Sequence, residues 1–301
     1  MAIRVTQGMM HSQLLRNVNN NLDRLQVNQD ILSTGKKINK PSDSPVGITY
    51  ALRYRSELSM NEQYQKNIDT AKSYVEHTDT ILGQVNDLFQ RANELTTQGL
   101  NGTNPQTALD SIATELGQIY EQAVVLGNDQ LNGKFIFNGQ KTDIQPYHSA
   151  TAAADTPDTY TINYQFAAGV TIPINVTGEE VFGAPDAAGT TDNLFTVLKG
   201  LENAFKANDK TKAADLFEKL KTRMDKFLQV RAEVGARTNR IELMESRIQD
   251  LEVSLNALDA KVEDADMAET ITKLKMDENV YQASLSVGAK VIQPSLIDYL
   301  R

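Results

Sequence analysis

Cysteine and tryptophan are both absent from the 301 residues, and only 6% of them are aromatic. Without cysteine the chain has no disulfide, no thiolate nucleophile and no thiolate metal site. With Leu, Ile, Val and Ala left to supply the apolar surface, thin helical layers suit this composition better than a deep globular core. A basic excess is missing too. The formal net charge of −9 opposes long-range attraction to nucleic acid or anionic lipid, so neither is expected as a partner. No apolar run reaches the length of a membrane span, and Met1–Met10 lacks the apolar block of a cleaved signal peptide. A secreted chain of this kind needs another export route.

Chemistry-bearing constellations are equally scarce. His11, His77 and His148 lie far apart, with none of the i, i+3 or i, i+4 partners of a helical metal site. There is no phosphate-cradling glycine loop and no G-x-S-x-G turn. Glu263-Asp264-Ala265-Asp266 is the densest acidic group, yet it lacks the glycine and later glutamate of a calcium loop. It reads as the acidic start of a helix at Met267, where the dipole is positive. No catalytic residue, cofactor or metal site is therefore expected.

What the sequence does contain is helical seams. Ile241, Met244, Ile248, Leu251, Leu255, Leu258, Val262 and Ala265 alternate spacings of three and four, one face of a helix that calls for a partner. The same rhythm runs through Leu15, Val18, Leu22, Leu25 and Leu32, with Gln29 as the single polar interruption. Phase is lost between Ala265 and Ile271, which predicts a joint there.

Taken in order, the first heptad helix should follow an unstructured or weakly helical lead to about Met10 and stop at Gly35, with Lys36 and Lys37 complementing the negative end of its dipole. Pro41-Ser-Asp-Ser-Pro45 punctuates, Ser44 as cap and Pro45 in the first turn of a long helix to about Gln98. Asn104 should cap the next helix, which folds back on the long one through Leu109, Ile112, Leu116, Ile119 and Val124. Asn132-Gly133 and Asn138-Gly139 predict tight turns between short strands. Residues 141–192, rich in Ala, Thr, Pro and Gly, read as a β insertion with strands at Tyr160–Phe166 and Val170–Val176, a hairpin at Ala167-Ala168-Gly169, and a mobile loop at Ser149–Ala154. Helix resumes at Asn193, breaks at Asn208-Asp209, and continues into the C-terminal seam. The expected fold class is mainly α: an elongated antiparallel helical coiled-coil bundle formed by both chain ends, with a small β-rich insertion at its tip.

These residues resemble the flagellin superfamily. The resemblance is carried by Leu32-Ser-Thr-Gly-Lys-Lys-Ile-Asn39, the Asn-rich first helix, Gly235-Ala-Arg-Thr-Asn-Arg-Ile-Glu242 and Glu263-Asp-Ala-Asp-Met-Ala-Glu269, which cover both ends and leave the middle free. Within it, Arg4-Val-Thr-Gln7, the Pro41–Pro45 pair, Asn132-Gly-Lys-Phe-Ile-Phe-Asn-Gly-Gln-Lys-Thr142 and the ending Leu296–Arg301 look more like the branch that joins hook to filament than like the filament subunit. Ser44 stands where the family often has Asp.

The resemblance implies a nonenzymatic structural subunit of the bacterial flagellum, exported unfolded by the flagellar type III apparatus to the extracellular appendage. It implies self-assembly into a tubular layer between hook-associated protein 1 and the flagellin filament, and an export chaperone on the C-terminal helix. Residues 1–44 are expected to form an inner-tube helix pairing with 266–301, residues 45–140 a rod completed by 193–265, and 141–192 an outward insertion. The expected assembly interface is Leu15, Val18, Leu22, Leu25 and Leu32 with Ile271, Leu274, Tyr281, Leu285, Ile292, Leu296 and Leu300. Because lone amphipathic helices are marginal in water, the two ends should be loose in the free subunit and order on assembly. The alternatives are a filament flagellin and a secreted coiled-coil adhesin binding through residues 141–192.

Overall fold

The computed structural model describes residues 7–102 and 104–292. The chain is mainly α. Its elements are α1 (Gln7–Thr34), α2 (Pro45–Leu100), α3 (Gln106–Gly127), β1 (Gln130–Leu131), β2 (Lys134–Phe135), β3 (Asn163–Ala167), β4 (Val170–Pro173), α4 (Gly178–Phe182), α5 (Leu194–Lys206), α6 (Lys210–Glu263) and α7 (Met267–Ile292). Two separate two-stranded antiparallel sheets, β1–β2 and β3–β4, hold all of these strands. No described helix is long and apolar enough to cross a membrane.

Several boundaries follow from local chemistry. Ser44 Oγ accepts from Gly47 N–H at 3.1 Å and Pro45 opens α2, the expected cap. Gly35, at φ +71°, ends α1 in the left-handed region. Asn132 and Gly133, both at positive φ, join β1 to β2 as an Asn-Gly hairpin turn does. Asp266 Oδ1 accepts from the N–H groups of Ala268 and Glu269, capping α7 after the three-residue break that the loss of phase predicts.

Other expectations need correction. Helix α1 begins at Gln7, so of the two readings of the lead the helical one holds over Gln7–Met10. Pro105 rather than Asn104 precedes α3, and Asn104 Nδ2 instead donates to the Gln98 carbonyl at 2.6 Å, tying the turn to the end of α2. The closest packing of α3 is against α5, although Arg91 and Glu115 bridge α2 and α3 at 2.6 Å. Lys36 and Lys37 do not serve the end of α1. Lys37 Nζ donates to the Lys261 carbonyl at 2.8 Å, so it complements the C-terminal end of α6.

The 141–192 interval carries less strand than expected. Past Pro173, Ile174 N–H still donates to the Ile162 carbonyl at 3.0 Å, but the return bond goes to a side chain: Asn175 Oδ1 accepts from Ile162 N–H at 2.7 Å and its Nδ2 donates to the Tyr160 carbonyl at 3.1 Å, so the ladder ends there. Helix α4 was not anticipated, although Thr177 and Glu180 form a complete capping box and the Thr-x-x-Glu spacing is visible in the sequence. Nor is Ser149–Ala154 a mobile loop. Ala152 is buried, Thr151 bonds Asp155, and Asp186 N–H donates to the Ala153 carbonyl at 2.6 Å.

Tertiary packing divides the chain into two compact units, Asn61–Asp250 and Met1–Met60 with Leu251–Arg301. Within the first, α2 and α6 run antiparallel, shown by Lys72 with Glu245 and Phe89 with Phe227. Its core joins Leu82, Val85, Phe89, Leu116, Leu198, Leu201 and Phe205 to the Phe137, Tyr147, Phe182, Phe195 aromatic group. At Gly99 a side chain would meet the Phe205 ring at 2.6 Å, so only glycine lets α2 approach α5 this closely.

Candidate functional site

In the Met1–Met60/Leu251–Arg301 unit, α1 packs on α7. Asn21 Nδ2 donates to Ser284 Oγ at 2.8 Å and Asn28 Nδ2 to Asp277 Oδ2 at 2.6 Å, while Leu14 lies against Gly288. Numbers rising on one helix meet numbers falling on the other, so the pair is antiparallel. On α7 the covered side is Thr270, Leu274, Asp277, Tyr281, Ser284 and Gly288, an unbroken alternation of four and three. On α1 the corresponding series is Leu14, Val18, Asn21, Leu25, Asn28 and Leu32.

The apolar series of the sequence is thus displaced by one residue at alternate positions. Val18, Leu25, Leu32 and Tyr281 are half-buried and Leu274 is buried. Leu15, Leu22, Ile271 and Leu285 stand outside, 48%, 43%, 47% and 47% exposed, and the neighbouring inner positions go to Leu14, Asn21, Thr270 and Ser284. Leu251 and Leu258 of the α6 series are exposed in the same way, while Leu255 is buried. The side chain of Ile292, with Leu296 and Leu300, lies outside the described residues.

Such a seam holds the pair weakly. Asparagine in a coiled-coil seam selects register and costs stability, and Asn21 and Asn28 take two inner positions one heptad apart, on either side of Leu25. Among the described residues of this unit, the buried apolar side chains are Ile38, Ala51, Leu255 and Leu274 alone. By contrast, exposed large apolar groups crowd it: Met9, Met10, Val27, Val46, Tyr50, Leu52, Met60, Val253, Met267, Met276, Val280 and Val287 join those already named. Among the described residues of the larger unit, only Val125, Ile144, Tyr160, Leu228 and Leu243 are so placed. Exposed apolar groups this concentrated form a candidate interaction surface. Its α2 part, Val46 to Met60, is not among the seams read from the sequence; the i, i+4 pair Tyr50 and Tyr54, stacked at 6.4 Å, is the signal that marks it.

The histidines take ordinary partners. His77 Nε2 lies 2.6 Å from Asp129 Oδ2 and His148 Nδ1 3.2 Å from Asp155 Oδ2. No group of three metal-ligating side chains occurs among the described residues.

The family model for the bacterial flagellin N-terminal helical region matches residues 5–142, and that for the C-terminal helical region matches residues 217–300. Flagellar hook-associated protein 3 of Escherichia coli K12 is 28% identical over 94% of this chain and 95% of its own length. Flagellin of Bacillus subtilis 168 is 25% identical over 97% of each chain. Among solved structures, the flagellar junction protein FlgL of Legionella pneumophila superposes with a TM-score of 0.59 at 14% identity, covering 71% of this chain and 99% of that one.

Proposed function

Because the chain belongs to the bacterial flagellin family, we propose that it is a structural subunit of the flagellum, forming the layer between hook-associated protein 1 and the flagellin filament. One observation carries the reading: exposed apolar side chains concentrate in the unit built from the two chain ends, while the other unit closes its own core. A protein built this way works by being surrounded. Leu15, Leu22, Ile271 and Leu285 face neighbouring copies, while Val18, Leu25, Leu32, Leu274 and Tyr281 knit α1 to α7. The subunit is exported by the flagellar type III route, a chaperone covers α7 beforehand, and no catalysis is involved. The junction-like Pro41–Pro45 and Asn132–Thr142 segments, with 28% identity to a hook-associated protein 3 against 25% to a flagellin at similar coverage, favour the junction over the filament.

Deleting the gene should leave intact hooks without filaments and release unpolymerised flagellin into the medium, both restored by the wild-type chain. Filaments of normal length on the deletion strain would overturn the junction assignment. Purified protein that grows long fibres by itself would make it a filament subunit.

In the free subunit, amides in the middle of α1 and α7 should exchange at least about 100-fold faster than those of α3 and α5, since so little apolar surface holds the pair. Exchange measured residue by residue checks this. Equal protection in both units contradicts folding on assembly.

A further inference from the structure

One buried carboxylate gathers the two connectors of the Met1–Met60/Leu251–Arg301 unit. Glu263, the last residue of α6, has a side chain 1% exposed. Its Oε2 accepts from Lys36 Nζ at 2.6 Å and from Arg55 Nη2, one cation following α1 and the other on α2. Around this carboxylate the backbones pair: Lys37 N–H donates to the Glu263 carbonyl at 2.7 Å and Ala265 N–H to the Gly35 carbonyl at 3.0 Å. Ile38, the next apolar residue of the connector, is buried.

The electrostatics are divided. Burial pushes the Glu263 carboxyl up, and the hydrogen bonds and charges of Lys36 and Arg55 outweigh it, holding the group below its ordinary value. Asp259, one turn earlier on α6, goes the other way: burial and the Glu263 charge push it up, Asp264 adds to this, and Arg55 and Lys36 oppose it. Asp259 Oδ1 and Glu263 Oε1 are both buried without a hydrogen-bond partner among the described residues. The cluster therefore contains its own antagonist.

We propose that Lys36, Arg55 and Glu263 form a clasp that joins the end of α1 to the start of α7 in the free subunit, and that Asp259 is placed to keep the clasp openable. The two loose helices then begin from one fixed point, and each meets the other at the high effective concentration that a short tether supplies. Ordering of α1 and α7 on assembly becomes one step instead of two searches. The purpose of the clasp rests on the assembly reading above; its existence does not.

Residue-resolved hydrogen exchange on the full free chain at neutral pH tests it through the amides of Lys37 and Ala265, which bridge the connectors. Both should be protected while the middle of α1 exchanges fast. Glu263→Gln should speed both together by about tenfold or more, the factor attached to losing one charge-assisted hydrogen bond. Asp259→Asn should slow both, because it removes the opposing charge, and it serves as the test if the first variant does not fold. Unchanged exchange in Glu263→Gln, a response at only one of the two amides, or faster exchange in Asp259→Asn overturns the clasp. Incorporation into flagella, with Leu285→Asp as reference, separates the two readings. Normal incorporation of Leu285→Asp defeats the assembly surface; exclusion of Leu285→Asp with unaltered exchange and incorporation of Glu263→Gln defeats the clasp alone.

Discussion

Leu285→Asp, and independently Leu22→Asp, should cut incorporation of the subunit by at least about 100-fold and abolish motility. Both leucines are close to half exposed in the single chain, so a carboxylate there is solvated and costs the free subunit little. Surrounded by neighbouring copies, each loses about half of the roughly 1.5–3 kcal/mol of a full leucine burial and adds the desolvation of a charge, several kcal/mol more. At 1.4 kcal/mol per factor of ten, the sum exceeds two decades even with partial relaxation of the contact. Quantitative immunodetection of the subunit on isolated hooks reads the effect, with urea unfolding of the purified variant as control. The unfolding midpoint of the Asn61–Asp250 unit should not move. A shifted midpoint would mean that these leucines support the chain's own fold, and normal incorporation would remove them from the assembly surface.

Phe195→Ala should do the reverse of this, lowering the stability of the free chain by about 3–5 kcal/mol. Phe195 is wholly buried, 5.1 Å from the Phe182 ring, 4.9 Å from Tyr147 and 6.1 Å from Tyr120. Three rings lose a neighbour at once, and the cavity lies where α3 meets α5, the closest helix pairing of the larger unit. Denaturant unfolding followed by far-ultraviolet circular dichroism measures the loss. A drop below about 1 kcal/mol would show that the site collapses around the smaller side chain, and that the aromatic group is not what holds this unit together. The two substitutions thus separate a surface completed by other copies from a core completed within one chain.

Much of the architecture was legible because it depends on near neighbours in the chain. Ser44-Pro45, Gly35, Asn132-Gly133, the Asn208-Asp209 break and the Asp266 start of α7 are each set by the conformational preferences of one or two residues. Leu109, Ile112, Leu116 and Ile119 on α3, and Leu194, Leu198, Leu201 and Phe205 on α5, are all buried, as their shared faces required. Periodicity said less about which face meets which helix. Leu14 beside Leu15, and Asn21 beside Leu22, admit two phases of the same alternation, and an apolar count prefers the one with more leucine. Tertiary pairing took the other, since Asn21 and Asn28 find partners in Ser284 and Asp277 that lie more than two hundred residues away.

The same limit hid Glu263. As part of Glu263-Asp264-Ala265-Asp266 it looked like one acid among several at a helix start, a role that belongs to Asp266. Its own role needs Lys36 and Arg55, which only the meeting of the two connectors brings to it.

Composition and spacing by themselves determined that this chain is helical, free of thiol and recognisable metal chemistry, and supplied with more apolar helix face at its ends than those ends can cover. Helix and turn preferences act over a few residues, so a linear reading captures them. The tertiary structure alone decided which rows of that face turn inward on polar partners and which stay bare, because burial and hydrogen bonding between distant segments are properties of the pairing and not of either helix.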